Sequence, residues 1–512
     1  MRPQRSAFSA QRFAAWLARS DRGALAIVAI FLLLLPISLP RIYATDEVQY
    51  YAYLRSVYFD GDLDFRNEYE HFAQIGQQQT PPDSSVYNAL LRADALNPNP
   101  VTGKLRNVAP VGSAIMWSPG FVAADLLVRA ADALGAGIPA DGYSRPYIWA
   151  VCFMSALYAL GGLLLTYRLA RRFAGAFAAA LAVIAIWLAT PLVMYTFILM
   201  PWSHPVGFFL FALFLTIWLR GGGALAPRRA ARSPGDWALL GLVGGMMTIT
   251  REQLGLLLLL PAVEALAAYV ALARERRWDE VRRLLGGHAL FVAVLALALL
   301  PQLAAYQVLN GRPLPSATVG GKLFWCSPHL IDTLIDYDPR PSALCPVPQD
   351  ITAGFPPFAH GAFLWSPILV PALLGLALLW RRDRLLAALL LLGFFAQTYI
   401  NGAFGTTWHL TRSFGFRRLI ECTPIFALGL AALIERLRAR SGRTLPALAA
   451  VLLIYWNIGL IAQWTIVRPQ IREGLIWDGM LRYQVVEVPR AVIGKVDDVL
   501  FHRCRLANNK TC

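Results

Sequence analysis

Residues 41–70 read RIYATDEVQYYAYLRSVYFDGDLDFRNEYE, and the adjacent acids Asp46 and Glu47 decide how the rest of the chain is read. They follow the apolar run 24–40, which at about 1.5 Å per helical residue nearly crosses a hydrocarbon core of roughly 30 Å. Asp46 is thereby set at headgroup depth, where water and headgroups solvate a carboxylate. It is also level with any phosphate carried on a membrane lipid. A base at that level is placed to serve a lipid-borne substrate.

The composition around this stretch is that of a membrane protein. Hydrophobic residues make up 57 % of the chain and charged ones 15 %, against about 25 % charged in an ordinary soluble domain. The fold class expected is therefore an all-α polytopic membrane protein. The start MRPQRSAFSAQRFAAWLARSDRG has the charge of a signal n-region, but no A-x-A-like cleavage site closes the apolar run before Pro36 and Pro40. Residues 1–23 accordingly read as the cytoplasmic flank of a retained anchor. A net charge of +16 would point to nucleic acid in a soluble protein. Here much of it falls in short loops between apolar runs, where the positive-inside rule accounts for it, and no nucleic-acid partner is implied.

Eleven apolar segments approach the ~20 residues a spanning helix needs: 24–40, 147–167, 174–194, 203–219, 237–250, 253–272, 288–309, 361–380, 385–402, 417–434 and 445–466. With the N-terminus inside, the cytoplasmic loops carry Arg168/Arg171/Arg172, Arg228/Arg229/Arg232, Arg274/Arg276/Arg277/Arg282/Arg283, Arg381/Arg382/Arg384 and Arg436/Arg438/Arg440/Arg443. Every even-to-odd connection is basic, which supports both the number of spans and the orientation. The transmembrane domain is read as 24–466, with a long first outer loop at 41–146, a second at 310–360 and an outer tail at 467–512. The helix expected at Ala109–Leu134 would add a span and invert every later loop. It is placed instead as a juxtamembrane helix on the outer surface, Trp117 and Phe121 toward lipid. Outer loops this long are more than connectors.

Cys152 and Cys422 fall within spans and read as packing. Cys326, Cys345, Cys504 and Cys512 all fall outside, and an even number in an oxidising compartment predicts disulfides between the nearest pairs, Cys326–Cys345 and Cys504–Cys512. The run Asp60-Gly61-Asp62-Leu63-Asp64 invites a calcium reading but lacks the spaced Gly and distal Glu of an EF-hand loop, so a polar turn is expected.

Six runs, in this order and topological placement, carry a resemblance: ATDEVQYYAYLRSVYFDGDLDFRNEY, APVGSAIMWSPGF, MPWSHPVGFFLFALFL, TREQLGLLLLLPAVE, HGAFLWSPILVPALLGLALL and SFGFRRLIECTPIFALGLAAL. Together they resemble bacterial membrane glycosyltransferases of the GT-C fold, a group that includes the protein O-mannosyltransferase-like enzymes and the lipid A aminoarabinose transferases. The resemblance runs from Ile42 to about Leu433. It implies a bacterial inner-membrane enzyme with its active site on the periplasmic side. That enzyme would transfer a sugar from a polyprenyl-phosphate donor to a hydroxyl of a glycan, lipid or protein. It also implies an acid of the first outer loop at the catalytic centre, matched here by Asp46 and Glu47.

The residues themselves point the same way. Asp46 and Glu47 after the first span, His204 opening the fourth, Arg251 and Glu252 between the fifth and sixth, and His409, Arg412, Arg417 and Arg418 before the tenth all fall at the outer interface. Lys322, beside Gly320 and Gly321, reads either as a plain surface lysine or as one that closes over a donor. Displacing a sugar from a lipid phosphate needs a base for the acceptor hydroxyl, and positive charge for the departing phosphate. Asp46 is the expected base, with Glu47 orienting the acceptor or helping to hold a divalent cation. His204, Arg251, Lys322, His409, Arg412, Arg417 and Arg418 are the expected substrate contacts. Neighbours on a helix diverge by about 100°, so one of Arg417 and Arg418 is expected to face the cavity and the other the headgroups or a neighbouring helix end. Solvated helix ends and headgroup anchors are the competing readings of these charges. No nucleotide-binding loop is present, which argues against a sugar-nucleotide donor. A membrane transporter or lipid flippase is the alternative function. It would place paired charges at mid-bilayer and often shows inverted repeats, and the sequence has neither.

Overall fold

The computed structural model describes residues 21–42, 44–78, 98–220, 232–316, 320–335, 345, 360–405 and 407–501. Among the described residues the chain is helical throughout apart from turns and one isolated antiparallel bridge, Leu323 with Phe404. The helices that matter below are α1 (Arg22–Leu34), α2 (Thr45–Arg55), α3 (Arg66–Gln78), α4 (Gly112–Ala133), α5 (Arg145–Ala170), α6 (Ala176–Leu188), α7 (Ser203–Trp218) and α8 (Pro234–Thr250). They continue as α9 (Leu259–Arg274), α10 (Trp278–Asn310), α11 (Leu369–Trp380), α12 (Arg384–Ala403), α13 (Thr423–Ser441), α14 (Thr444–Ala462) and α15 (Val488–Phe501).

Each of the eleven apolar segments is helical, several in two pieces. Six helical stretches are long and apolar enough to cross a membrane: Gly112–Ala133, Arg145–Ala170, Glu252–Arg274, Trp278–Asn310, Arg384–Ala403 and Thr444–Val467. Arg22–Ile37, Ala176–Leu188, Ser203–Trp218 and Leu369–Trp380 are apolar but shorter. The shortness has visible causes. The 174–194 segment breaks after Leu188, ahead of Pro191, and the freed carbonyls of Leu188 and Thr190 accept from Asn457 Nδ2 of α14 at 2.9 and 3.0 Å. Irregular backbone inside a bundle persists only when its polar groups are satisfied in this way.

Small residues let the helices approach closely. A Cβ on Gly375 of α11 would lie 2.0 Å from the Gly429 carbonyl oxygen of α13, and one on Gly429 would lie 2.1 Å from that of Ala372. Such contacts supply the dispersion and backbone packing that replace hydrophobic driving force within a bilayer. At the basic end of the bundle the helices start on polar caps. Asp21 accepts from Gly23 N, Ser233 from Asp236 N with Pro234 following, and Asp383 from Leu386 N, satisfying amide groups that open each helix.

Within 41–146 the chain forms α2, α3 and α4 before α5 begins. Here one expectation is corrected: Trp117 and Phe121 of α4 do not face outward but are fully buried. Tyr50 meets Trp117, and Tyr51, Tyr58 and Phe59 meet Phe121, all edge-on with centroids 5.5–6.2 Å apart. Edge-to-face contacts of this kind favour aromatic burial beyond the area covered. The outward face of α4 is carried instead by Leu126 and Leu127, 62 % and 71 % exposed. Below it, Arg55 is buried between Asp60 and Glu68, its Nη1 donating to Glu68 Oε1 at 3.0 Å. Burial pushes the Glu68 carboxyl up to about 7, against the pull of Arg55. The Asp60–Asp64 run is a polar turn: Gly61 is left-handed at φ 71°, and Asp62 Oδ1 accepts from Ser56 Oγ and Asp64 N. Cys326 is bonded to Cys345, while Cys152 and Cys422 are free and buried. Cys504, Cys512, Arg228, Arg229, Asp336, Asp338 and the first twenty residues lie outside the described residues.

Candidate active site

At one end of the bundle, helix ends and loops enclose a cavity of about 370 Å³. Its walls come from five places: the start of α2 (Asp46, Gln49, Tyr50), the strand of chain entering α4 (Val108–Pro110), the break between α8 and α9 (Arg251–Gln253), Lys322, and the segment 404–418. Asp46, Arg251, Lys322, His409, Arg417 and Arg418 are therefore brought into one chamber from positions up to 372 residues apart in the chain.

The break at Arg251 explains its reach. α8 ends with Arg251 in extended conformation, φ −153° and ψ 112°, and a tight 3-10 turn follows from Glu252. The Arg251 side chain is almost wholly buried, with Nε 2.9 Å from Glu421 Oε1. Its Nη1 donates at 3.0 Å to Ser203 Oγ, which donates in turn to the Tyr50 hydroxyl. Burial raises the Tyr50 phenol above its ordinary range, so it lines the chamber as a neutral hydroxyl. Glu252 lines the chamber as well and accepts from the Tyr306 hydroxyl of α10.

Asp46 stands in the first turn of α2, 44 % exposed, and accepts from Arg417 Nη2 at 3.1 Å. The Arg417 guanidinium carbon lies over the Trp202 ring, 4.0 Å from its centroid, a cation–π contact that holds the charge against the indole. Arg418 stacks 4.9 Å over Phe404 and donates from Nη2 to Thr407 Oγ1 at 2.9 Å, while its Nη1 is shielded and has no hydrogen-bond acceptor. Both arginines line the chamber, so the expectation that one would face the headgroups is corrected. They lean on two different rings, Trp202 and Phe404, and reach the same space from two walls.

Glu47 does not join Asp46 there. It is 1 % exposed, outside the chamber lining, and its Oε2 accepts from Ala44 N at 2.9 Å, closing the first turn of α2. The two acids thus diverge, and Asp46 is already paired with Arg417. This donor set does not fit a divalent cation, and no cluster of three or more His, Cys, Asp or Glu occurs among the described residues. His204 is fully buried behind the wall, its Nδ1 2.9 Å from Glu421 Oε1. Arg412 points outward at 66 % side-chain exposure and pairs with Glu473. Its amide donates to the Arg472 carbonyl at 2.6 Å. Leu410 and Arg412 are both left-handed, φ 52° and 68°, a costly conformation for such residues. Two side chains from elsewhere in the chain hold that segment in place, Trp464 Nε1 donating to the Ser413 carbonyl and His360 Nδ1 donating to that of His409.

No family model matches the chain, and no curated protein matches it. Among solved structures, the chain is similar to ArnT from Cupriavidus metallidurans in the apo state. Identity is 16 %, covering 94 % of this chain and 78 % of that one, with a TM-score of 0.45. Similarity at that level carries no inference about activity.

The charges in the chamber sort themselves by partner. Arg251 faces Glu421 and Arg417 faces Asp46, while Arg418 and Lys322 have no carboxylate partner among the described residues. Tyr50, Ser203 and Glu421 were not singled out by the sequence. Glu421 alone had a signal, an acid at the head of an apolar segment, LIECTPIF, where ionisable residues are costly and usually kept for a reason. A second, mainly apolar cavity of about 760 Å³ lies between α2, α4 and α10, lined by Tyr53, Leu54, Val57, Ile115, Ala305 and Val308 among others.

Proposed function

We propose that this protein is an integral membrane glycosyltransferase. It transfers a sugar from a polyprenyl-phosphate donor to a hydroxyl of a glycan, lipid or protein at the outer face of a bacterial inner membrane. The observation that carries this reading is the pairing, within one 370 Å³ chamber, of a reachable carboxylate, Asp46, with two cations that have no carboxylate partner among the described residues, Arg418 and Lys322. The motif resemblance supplies the reaction class.

In this reading the acceptor hydroxyl attacks the anomeric carbon as Asp46 takes its proton. The new carbon–oxygen bond forms while the bond from that carbon to the phosphate oxygen breaks. The donor is a phosphodiester with one negative charge, and the departing phosphomonoester carries two. Arg418 and Lys322, with Arg251 at the rear wall, face charge that grows toward the transition state, where stabilisation accelerates the reaction. Arg417 keeps Asp46 oriented. The apolar cavity beside α2 and α10 has the size and lining for an acyl or isoprenoid chain. No step passes through a metal. Charges gathered at one end of the bundle favour this reading over the transporter alternative.

The test is release of polyprenyl phosphate from a panel of short-chain polyprenyl-phosphate sugars by purified protein, with a membrane lipid extract as acceptor. Asp46→Asn is expected to abolish release while the protein stays folded and membrane-inserted. Full activity in that variant would remove Asp46 from the mechanism.

A further inference from the structure

Glu421 touches nothing in the chamber, yet it is the residue on which two walls converge. It sits in the 3-10 turn Arg417–Cys422 that leads into α13 and is 1 % exposed. One oxygen, Oε1, meets Arg251 Nε from the end of α8 and His204 Nδ1 from the start of α7, both at 2.9 Å. Its other oxygen is buried without a hydrogen-bond partner. His204 is fully buried between Tyr195 and Trp202, the same indole that carries Arg417 on its face.

A carboxylate so enclosed is costly unless a cation is held against it. The cation it holds is Arg251: the two form an ion pair, Nε 2.9 Å from Oε1, while Nη1 of the same guanidinium donates to Ser203 Oγ and the residue still lines the chamber. A guanidinium is a planar fork, so one hydrogen bond at Nη1 and an ion pair beside Nε together restrict where its remaining nitrogen points. With an acidic partner on Nδ1, neutral His204 carries its proton there and donates it to Glu421. His204 thereby completes the socket rather than meeting the substrate.

We propose that Glu421 is a positioning residue. It aims Arg251 at the phosphate of the donor, and His204 and Ser203 hold the two ends of that socket. The proposal rests on the glycosyltransferase reading above and goes beyond it. Arg251 acts only as far as Glu421 orients it, so the two residues form one functional unit rather than two independent ones.

The experiment is a double-substitution cycle on the full-length protein in detergent, with Glu421→Gln, Arg251→Met and the pair. Two quantities are read: release of polyprenyl phosphate at saturating donor, and the dissociation constant of a fluorescent short-chain polyprenyl phosphate. Each single variant is expected to lose about ten- to a hundredfold in release, at about one charge-assisted hydrogen bond lost. The pair is expected to lose no more than Arg251→Met alone, because Glu421 has nothing left to aim. Glu421→Asp, which keeps the charge but shortens the reach, should recover part of the loss. Losses that multiply in the pair would overturn the proposal, as would Glu421→Gln lowering thermal stability with release unchanged. If Glu421→Gln does not accumulate in membranes, Glu421→Asp enters the same cycle under the same criterion. A wild-type protein that neither releases nor binds polyprenyl phosphate would instead overturn the glycosyltransferase reading, an outcome distinct from additivity in an active enzyme.

Discussion

Replacing Arg418 by alanine separates a phosphate ligand from its neighbour Arg417. One terminal nitrogen of Arg418 is spent on Thr407 at 2.9 Å, and the other is shielded with no acceptor. Arg417 is committed on both sides, to Asp46 at 3.1 Å and to the face of Trp202 at 4.0 Å. A charge-assisted hydrogen bond contributes about 1.5–3 kcal/mol, and each ~1.4 kcal/mol in the barrier is a factor of ten. Arg418→Ala should therefore lower donor-saturated turnover roughly 10- to 150-fold and weaken polyprenyl-phosphate binding, because product carries the fuller charge. Arg418→Lys should recover only part, since it keeps the charge but neither the fork nor the stack on Phe404. Arg417→Ala should act through the base and lower turnover while leaving polyprenyl-phosphate affinity nearly intact. Turnover is read as polyprenyl phosphate released, and affinity by fluorescence titration of the same short-chain phosphate. Arg418→Ala within twofold of wild type in both measurements would refute the assignment and return this arginine to a packing role against Phe404.

Asp46→Asn should lower release by roughly 10²- to 10⁴-fold, the usual contribution of a general base, with thermal stability near wild type because the side chain is 44 % exposed. Glu68 should make stability depend on pH. Its carboxyl is raised from 4.5 to about 7, so the folded state holds the extra proton across that window. Stability from this group is full below about pH 4.5 and is lost as pH rises through about 7, by about 3 kcal/mol at most. Glu68→Gln should flatten the melting temperature between pH 5 and pH 8, and an unchanged slope would refute this. Opening the Cys326–Cys345 bond, which spans 19 residues, should cost about 3 kcal/mol on the chain-entropy account. The serine pair should also raise the donor KM through the nearby Lys322, and non-reducing peptide mapping shows whether the bond is formed. Arg412→Ala should change turnover less than threefold, because its ion pair with Glu473 is exposed and such pairs contribute about 1 kcal/mol or less. A loss comparable with that of Arg418→Ala would return Arg412 to the phosphate site.

The helices were legible because a spanning segment is fixed by length and apolarity, both read directly from the chain. What sequence could not say was which face of a helix meets which neighbour. α4 has apolar residues on all sides, and nothing in its periodicity separates Trp117 and Phe121, which meet the tyrosines of α2, from Leu126 and Leu127, which stay exposed. The chamber was legible as a depth, since its charges all follow or precede apolar runs. That depth alone could not tell lining residues from the ones behind them. His204 and Arg251 occupy the same depth, and only packing sets the first behind the wall and the second on it. Helix geometry misplaces Arg417 and Arg418 for a related reason. An angle between neighbours says where two side chains start, whereas Trp202 and Phe404, 202 residues apart, decide where two long guanidiniums end. Glu421 was the residue most open to discovery from sequence. An acid opening an apolar segment must find a cation or a proton, and Arg417 and Arg418 are the arginines nearest to it in the chain. In the fold they face the chamber and the partner is Arg251, brought from the break between α8 and α9. The motif that looked like one phosphate site is thus two devices back to back: an arginine pair facing the chamber, and a carboxylate facing the arginine behind it.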